Sequence, residues 1–318
     1  MTSQAYKKTG QHLLPTFKTN EKLNDPELYR PSDDLVDAVN VALTLGQPLL
    51  LTGDPGTGKT ELAWHIAYQF KLGGELDEET KTMVYKPLVF TAQTTSNATD
   101  LFYKYDAIGH FQYNHNQNNK DPLPVEEIEK LYIHYNALGE AIKRQERLVV
   151  LIDEIDKAPR DLPNDILFAI EKLSFKVPEL KNKEHKTSKT LRPIIILTSN
   201  SEKNLPDAFL RRVVYYHIPP PTQAELLEIL SLKTDGFTKI ERELIIDHFN
   251  DILEMGFKKR PATAELIYWA LLLKDLEFPI NQLGKKLTGD NKQKLAMSYS
   301  VLAKNREDLE LLKTKLGK

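Results

Sequence analysis

The run Gly53-Asp54-Pro55-Gly56-Thr57-Gly58-Lys59-Thr60 follows the spacing GxxxxGK[ST]. Glycines at these positions let backbone N–H groups curl around phosphate oxygens, the lysine brings a positive charge to the outer phosphates, and the final hydroxyl is a hard oxygen ligand for Mg2+. The chemistry is the binding of a nucleoside triphosphate, with Glu61 included among the expected nucleotide-binding residues. The flanks supply the context that the pattern requires. Pro48 to Thr52 is a short apolar strand, and Thr60 to Phe70 places Leu62, Ala63, Ile66, Ala67 and Phe70 on helical spacing.

A second group is the apolar run Leu148 to Ile152 followed by Asp153-Glu154. Open parallel sheets bind ligands at the carboxyl ends of their strands, where these acids would stand. Asp153 is expected to hold Mg2+ through water, with the Thr60 hydroxyl as a ligand, and Glu154 to orient and deprotonate an attacking water, which suits hydrolysis better than transfer to a bulky acceptor. An apolar run ending in two acids is by itself more often a strand and a solvated turn; the glycine loop upstream gives it a role. The third group is Ile194 to Thr198 followed by Ser199-Asn200. The Asn200 amide would hydrogen-bond both water and γ-phosphate. Ser-Asn after a strand is usually only a turn, so this assignment depends on the first two.

These residues need a sheet to carry them. Pro48 to Thr52, Leu88 to Thr91, Leu148 to Ile152 and Pro193 to Thr198 read as short buried strands, with Val213 to Ile218 as a fifth. Helical patterns at Ala137 to Gln145 and Leu162 to Leu173 alternate with them, which indicates an α/β domain. Ser32-Asp33-Asp34 is an N-cap signature that opens the first helix, after a polar stretch without period. Beyond Pro219-Pro220-Pro221 only helical patterns follow, at Thr222 to Lys233, Lys239 to Met255, Ala262 to Lys274 and Lys292 to Leu316. The expected division is an N-terminal extension over 1–30, a nucleotide-binding subdomain over 31–219 and a helical lid over 220–318.

The 318 residues carry a formal net charge of -2, so no global field draws the chain to nucleic acid or anionic lipid. The absence of cysteine excludes disulfides and thiolate chemistry. No apolar run approaches the roughly 20 residues that cross a bilayer, and the polar N-terminus has no apolar signal core; the expectation is a cytoplasmic protein without membrane contact.

Asp153-Glu154-Ile155-Asp156-Lys157-Ala158-Pro159, Asn164 to Leu167, Leu205 to Arg212 and the proline tract resemble the AAA+ ATPases and, within them, the MoxR-like branch, over about 29–270. The resemblance implies a P-loop NTPase fold, a parallel sheet flanked by helices followed by a small all-helical lid, with ATP and Mg2+ as cofactors. It also implies a homo-oligomeric ring, commonly a hexamer, with ATP sites shared between subunits. Arg212, with Arg211, would reach a neighbour's γ-phosphate, where such an arginine is worth roughly 10³ to 10⁵ in kcat. The alternative for either arginine is capping of its own helix C-terminus. The branch usually has a nucleotide-sensing arginine directly after a proline, but here Ala262 follows Pro261; Arg260 is the nearest substitute, with a surface ion pair as its alternative.

Two insertions bear on what the protein acts on. Thr94 to Gln112 carries Phe102, Tyr103, Tyr105 and Phe111, which would either face a central channel and grip a substrate or pack against the core. His110 and His115 lack a third metal ligand and read as solvated loop residues, and Gln112 to Lys120 as a surface loop. Ser174 to Arg192 contains a hairpin strand at Phe175-Lys176-Val177 and six basic residues (Lys176, Lys181, Lys183, Lys186, Lys189, Arg192) against Glu179 and Glu184. A solvated tip is favoured over a nucleic-acid or acidic-protein contact. The leading function is therefore an ATPase that remodels or activates a partner protein, as MoxR-like proteins are thought to do with separately encoded von Willebrand A domain proteins. A nucleic-acid or defence-type motor and a nucleotide-gated scaffold are the alternatives.

Overall fold

The computed structural model describes residues 21–116, 123–201 and 205–315. They form two compact units. One comprises Pro31–Gly53 and Gly58–Ile218; the other comprises the described residues up to Arg30, Asp54–Thr57 and the chain from Pro219 onward.

The first unit opens with α1 (Asp33–Leu45), whose N-cap Ser32 accepts a hydrogen bond from the Leu35 N–H and whose last turn is closed by Gly46 in the left-handed region. Strand β1 (Leu49–Thr52) and helix α2 (Lys59–Gln69) follow. The hairpin β2 (Gly74–Leu76) and β3 (Met83–Tyr85) leads into β4 (Leu88–Thr91). Next come β5 (Tyr103–Tyr105), α3 (Ala107–Asn116), α4 (Val125–Tyr132), β6 (Ile133–Tyr135) and α5 (Ala137–Lys143). Then β7 (Val149–Asp153) and α6 (Leu162–Lys172) precede the hairpin β8 (Ser174–Val177) and β9 (Lys183–Lys186). Strand β10 (Ile194–Thr198), the short α7 (Asp207–Leu210) and β11 (Val214–His217) complete the unit.

Strands β11, β1, β10, β7 and β4 lie side by side in that order, every pair parallel. The expected α/β sheet is present, and Val214–His217 is its fifth strand. β1 and β10 are buried along their whole length and β7 up to Ile152, as doubly covered parallel strands must be, whereas Val89 on edge strand β4 is 45% exposed. Register decides which side chains share the carboxyl edge. Thr52 lies opposite His217, Leu51 opposite Thr198 and Leu197 opposite Ile152, which brings Thr198 beside Asp153.

The second unit carries α8 (Gln223–Lys233), α9 (Lys239–Leu253), α10 (Thr263–Asp275), α11 (Gly289–Leu302) and α12 (Arg306–Lys315). Capping boxes Thr222/Glu225 and Thr238/Glu241 start α8 and α9. Trp269 and Tyr299 stand at its fully buried centre, with the Trp269 indole N–H donating to Ser298 Oγ at 2.9 Å. Two sequence expectations are corrected. The single helix over Lys292 to Leu316 is two helices, because Ala303 turns extended and Asn305 Oδ1 accepts from the Asp308 N–H at 2.8 Å, a new N-terminal cap. The surface loop beginning at Gln112 is helical up to Asn116; residues 117–120 lie outside the described residues.

Candidate nucleotide site

Gly56 and Gly58 take φ values of 79° and 87°, a region L side chains rarely adopt, so the loop keeps its curvature only with glycine there. Lys59 opens α2, is 8% exposed, and its ammonium donates to Gly53 O at 2.7 Å. The lysine that the pattern assigns to phosphate thus spans the first loop residue from the positive end of α2. Thr57 Oγ1 donates to Asp54 O at 2.8 Å. The strand end that launches the loop is pinned too: Thr52 is fully buried, its Oγ1 donates to the Tyr215 hydroxyl at 3.0 Å, and His217 Nδ1 stands 3.0 Å from the same oxygen.

Two strand ends and the first turn of α2 then converge. Thr60 Oγ1 donates to Asp153 Oδ1 at 3.3 Å, and Thr198 Oγ1 donates to the same carboxylate oxygen. Thr198 Oγ1 also accepts the Glu154 N–H at 3.0 Å. Glu154 sits at φ 56°, a left-handed conformation that costs a non-glycine residue about 1–3 kcal/mol and persists only where neighbours hold it. The bond to Thr198 is such a hold. The Lys157 ammonium meets Glu154 Oε2 at 2.6 Å, and Asp156 Oδ1 accepts the Asn200 N–H at 3.2 Å. The hydrogen bond to Glu154 is the main cause that raises the Lys157 pKa.

Thr60, Asp153, Glu154 and Asn200 are therefore gathered at one sheet edge. The Thr60 hydroxyl and the Asp153 carboxylate are adjacent hard oxygen donors, a set that fits Mg2+, which takes one or two protein ligands and completes its shell with phosphate and water. Sequence reading passed over Thr198, Asp156 and Lys157. The signals were a hydroxyl closing an apolar strand and a charged pair within three residues of the acids.

The other expected site residues are placed as follows. Glu61 is exposed in the first turn of α2, and Asp54 and Pro55 are exposed. Arg211 and Arg212 follow α7 and are exposed; among the described residues neither guanidinium has a hydrogen-bond or ion-pair partner. Arg260 donates to Leu253 O at 3.2 Å, the last carbonyl of α9.

In the first insertion Phe102 and Tyr103 are buried and stack on Phe175 with centroids 4.7 and 6.2 Å away, so these two rings pack rather than face a channel. Phe111 is 69% exposed. His110 Nδ1 lies 2.7 Å from the Tyr105 hydroxyl and its ring stacks on Tyr132 at 4.8 Å, so it is packed rather than solvated. Among the described residues no cluster of three or more His, Asp or Glu could hold a metal. Of the six basic residues in the second insertion, Lys183 pairs with Glu129 at 2.6 Å and Arg192 donates to Gly46 O and Ile170 O at 2.7 and 3.3 Å. A cavity of about 570 Å³ opens at the other edge of the sheet, beside Gly46, Leu49, Arg192 and Ile194, away from the acids. Among the described residues no helix is long and apolar enough to cross a membrane.

Residues 48–213 match the family model described as AAA domain (dynein-related subfamily). Solved structures similar to the chain include three mutant forms of RuvB from Thermotoga maritima, each 15% identical. The first has a TM-score of 0.48 and covers 84% of this chain and 67% of its own. The second has 0.46, with 87% and 69%, and the third 0.45, with 83% and 73%. No curated protein matches the chain.

Proposed function

Because the chain belongs to the AAA domain family (dynein-related subfamily), we propose that it is an ATPase that hydrolyses ATP at the edge formed by Thr60, Asp153, Glu154 and Asn200. The observation that carries this reading is the joining of Thr60, Thr198 and Asp153 through one carboxylate oxygen, with Glu154 next in the chain and bonded to the same threonine.

Lys59 binds the outer phosphates after leaving Gly53 O. Thr60 and Asp153 would hold Mg2+, which would supply neutralisation of phosphate charge. Glu154 takes the proton of the attacking water as its oxygen bonds the γ-phosphorus and the bridging oxygen departs with ADP. Asn200 orients that water and the γ-phosphate through its amide. Arg212, with Arg211, completes the site of a neighbouring subunit in a homo-oligomeric ring, and the absence of partners for their guanidinium groups within the described chain supports this role. Arg260 is the candidate sensor of the γ-phosphate and would have to release Leu253 O to act.

The coupled work is remodelling of a separately encoded partner protein, as in the MoxR-like branch. Spending Lys183 and Arg192 on internal bonds lowers the charge available to the nucleic-acid alternative. Replacement of Glu154 by Gln should leave ATP binding intact and abolish phosphate release; unchanged turnover would remove Glu154 as the base, and slow or absent hydrolysis by the unaltered chain would favour the scaffold reading.

A further inference from the structure

The cavity at the amino edge of the sheet takes no part in the proposed hydrolysis. Strand β10 runs from the cavity at Ile194 to Thr198 beside the acids, so the two places lie at opposite ends of one strand. The cavity holds about 570 Å³, within the ~300–1,000 Å³ of small-molecule sites. Apolar side chains from three elements line it: Leu43 of α1, Leu173 at the end of α6 and Ile194 of β10. Three cations, Arg147, Lys189 and Arg192, line it against one carboxylate, Glu171.

Arg192 is fixed in the cavity wall. Its Nη1 donates to Gly46 O at 2.7 Å and its Nη2 to Ile170 O at 3.3 Å, carbonyls at the C-terminal ends of α1 and α6, where a cation is favoured. These bonds take the side chain away from the exposed face of the hairpin, and the guanidinium keeps its charge. Its Nε–H is buried and has no acceptor among the described residues. Buried donors are almost always paired, so this one marks a place for an acceptor that the chain does not supply. The side chains of Arg147, Lys189 and Glu171 are exposed and have no hydrogen-bond or ion-pair partner among the described residues. A braced guanidinium, two unspent cations and an apolar wall match a molecule with a carboxylate or phosphate head and an apolar body. Glu171 disfavours a polyanion.

We infer that this cavity binds a small organic anion, an apolar tail ending in a carboxylate or a phosphate, with Arg192, Arg147 and Lys189 holding the head. The test is isothermal titration calorimetry of the full chain with hexanoate and, separately, hexyl phosphate, under saturating ADP so that the glycine loop cannot take the phosphate head. At least one of the two should bind, and the tighter of them names the head group. Uncharged hexanol should bind about tenfold more weakly or worse, because it lacks the charge-assisted hydrogen bonds. Arg192→Met should weaken anion binding by about tenfold or more for the same reason. Since Arg192 also braces two helix ends, the exposed Arg147→Met and Lys189→Met decide the matter if that variant misfolds; each should weaken binding about two- to fivefold. No binding of either anion, binding no tighter than that of hexanol, or affinities unchanged in the Arg147 and Lys189 variants would overturn the assignment.

Discussion

Thr198 is the residue on which both acids depend. Its hydroxyl gives its proton to Asp153 and accepts the N–H of Glu154, so the metal-facing carboxylate and the proposed base share one side chain. Valine keeps the shape and the strand preference but can do neither. A hydrogen bond to a charged group is worth about 1.5–3 kcal/mol, and the left-handed Glu154 peptide would lose a hold. Thr198→Val is therefore expected to lower the unfolding free energy by about 2 kcal/mol in urea titration. It should also lower kcat about tenfold, equivalent to ~1.4 kcal/mol of barrier, in the phosphate-release assay. Retention of full activity would show that Glu154 is positioned by something else. Residue types declared the loop and the acid pair from sequence, but Thr198 is a common strand residue, and only its register against β7 gives it work.

At the scale of elements, the hairpin of β8 and β9 docks through an interlocked polar and aromatic cluster. Phe175 stacks on Phe102 and His185, and Tyr135 donates to Glu129 at 2.6 Å. Because the Tyr135 hydroxyl proton is directed at Glu129, His185 Nε2 must carry its proton to donate to the Tyr135 oxygen at 2.9 Å. Lys183 and Lys143 both approach Glu129. Burial pushes the Glu129 carboxyl up, but the hydrogen bonds from Lys183 and Tyr135 outweigh it and hold it below the ordinary range. Burial pulls His185 below its ordinary 6.5, against the pull of Glu129. The unfolded chain then takes up the histidine proton first as pH falls. This contribution to stability is full above about 6.5 and is lost as pH drops below it. Glu129 adds a second loss at lower pH, as it protonates. His185→Phe should flatten the fall in melting temperature between pH 7 and 5; an unchanged slope would place the acid sensitivity elsewhere. The central strands β1, β7 and β10 were legible to within a residue because each is built on an uninterrupted apolar run. Strands β5 and β6 were not, since three residues of mixed polarity form a ribbon only by meeting each other from distant parts of the chain.

For the whole molecule, the exposed Arg211 and Arg212 define the assembly question. In a ring, Arg212→Ala should abolish hydrolysis while leaving nucleotide affinity of the monomer largely intact. Mixing Arg212→Ala with Lys59→Ala should restore part of the activity, because some interfaces then pair an intact loop with an intact arginine. Activity independent of protein concentration, with no rescue on mixing, would exclude shared sites.

The sequence by itself determined the glycine loop, the paired acids and the alternation of buried strands with helices. Those features depend on spacing between near neighbours, which covalent geometry and backbone periodicity convert directly into a loop, a strand end or a helix face. The tertiary structure decided what lies between distant segments. It placed Thr198 between Asp153 and Glu154, tied Asp156 to Asn200, and packed Phe102 and Tyr103 against Phe175. Each of these follows from strand register or insertion docking, where free energy is gained only when residues far apart in the chain meet, and no local pattern encodes that meeting.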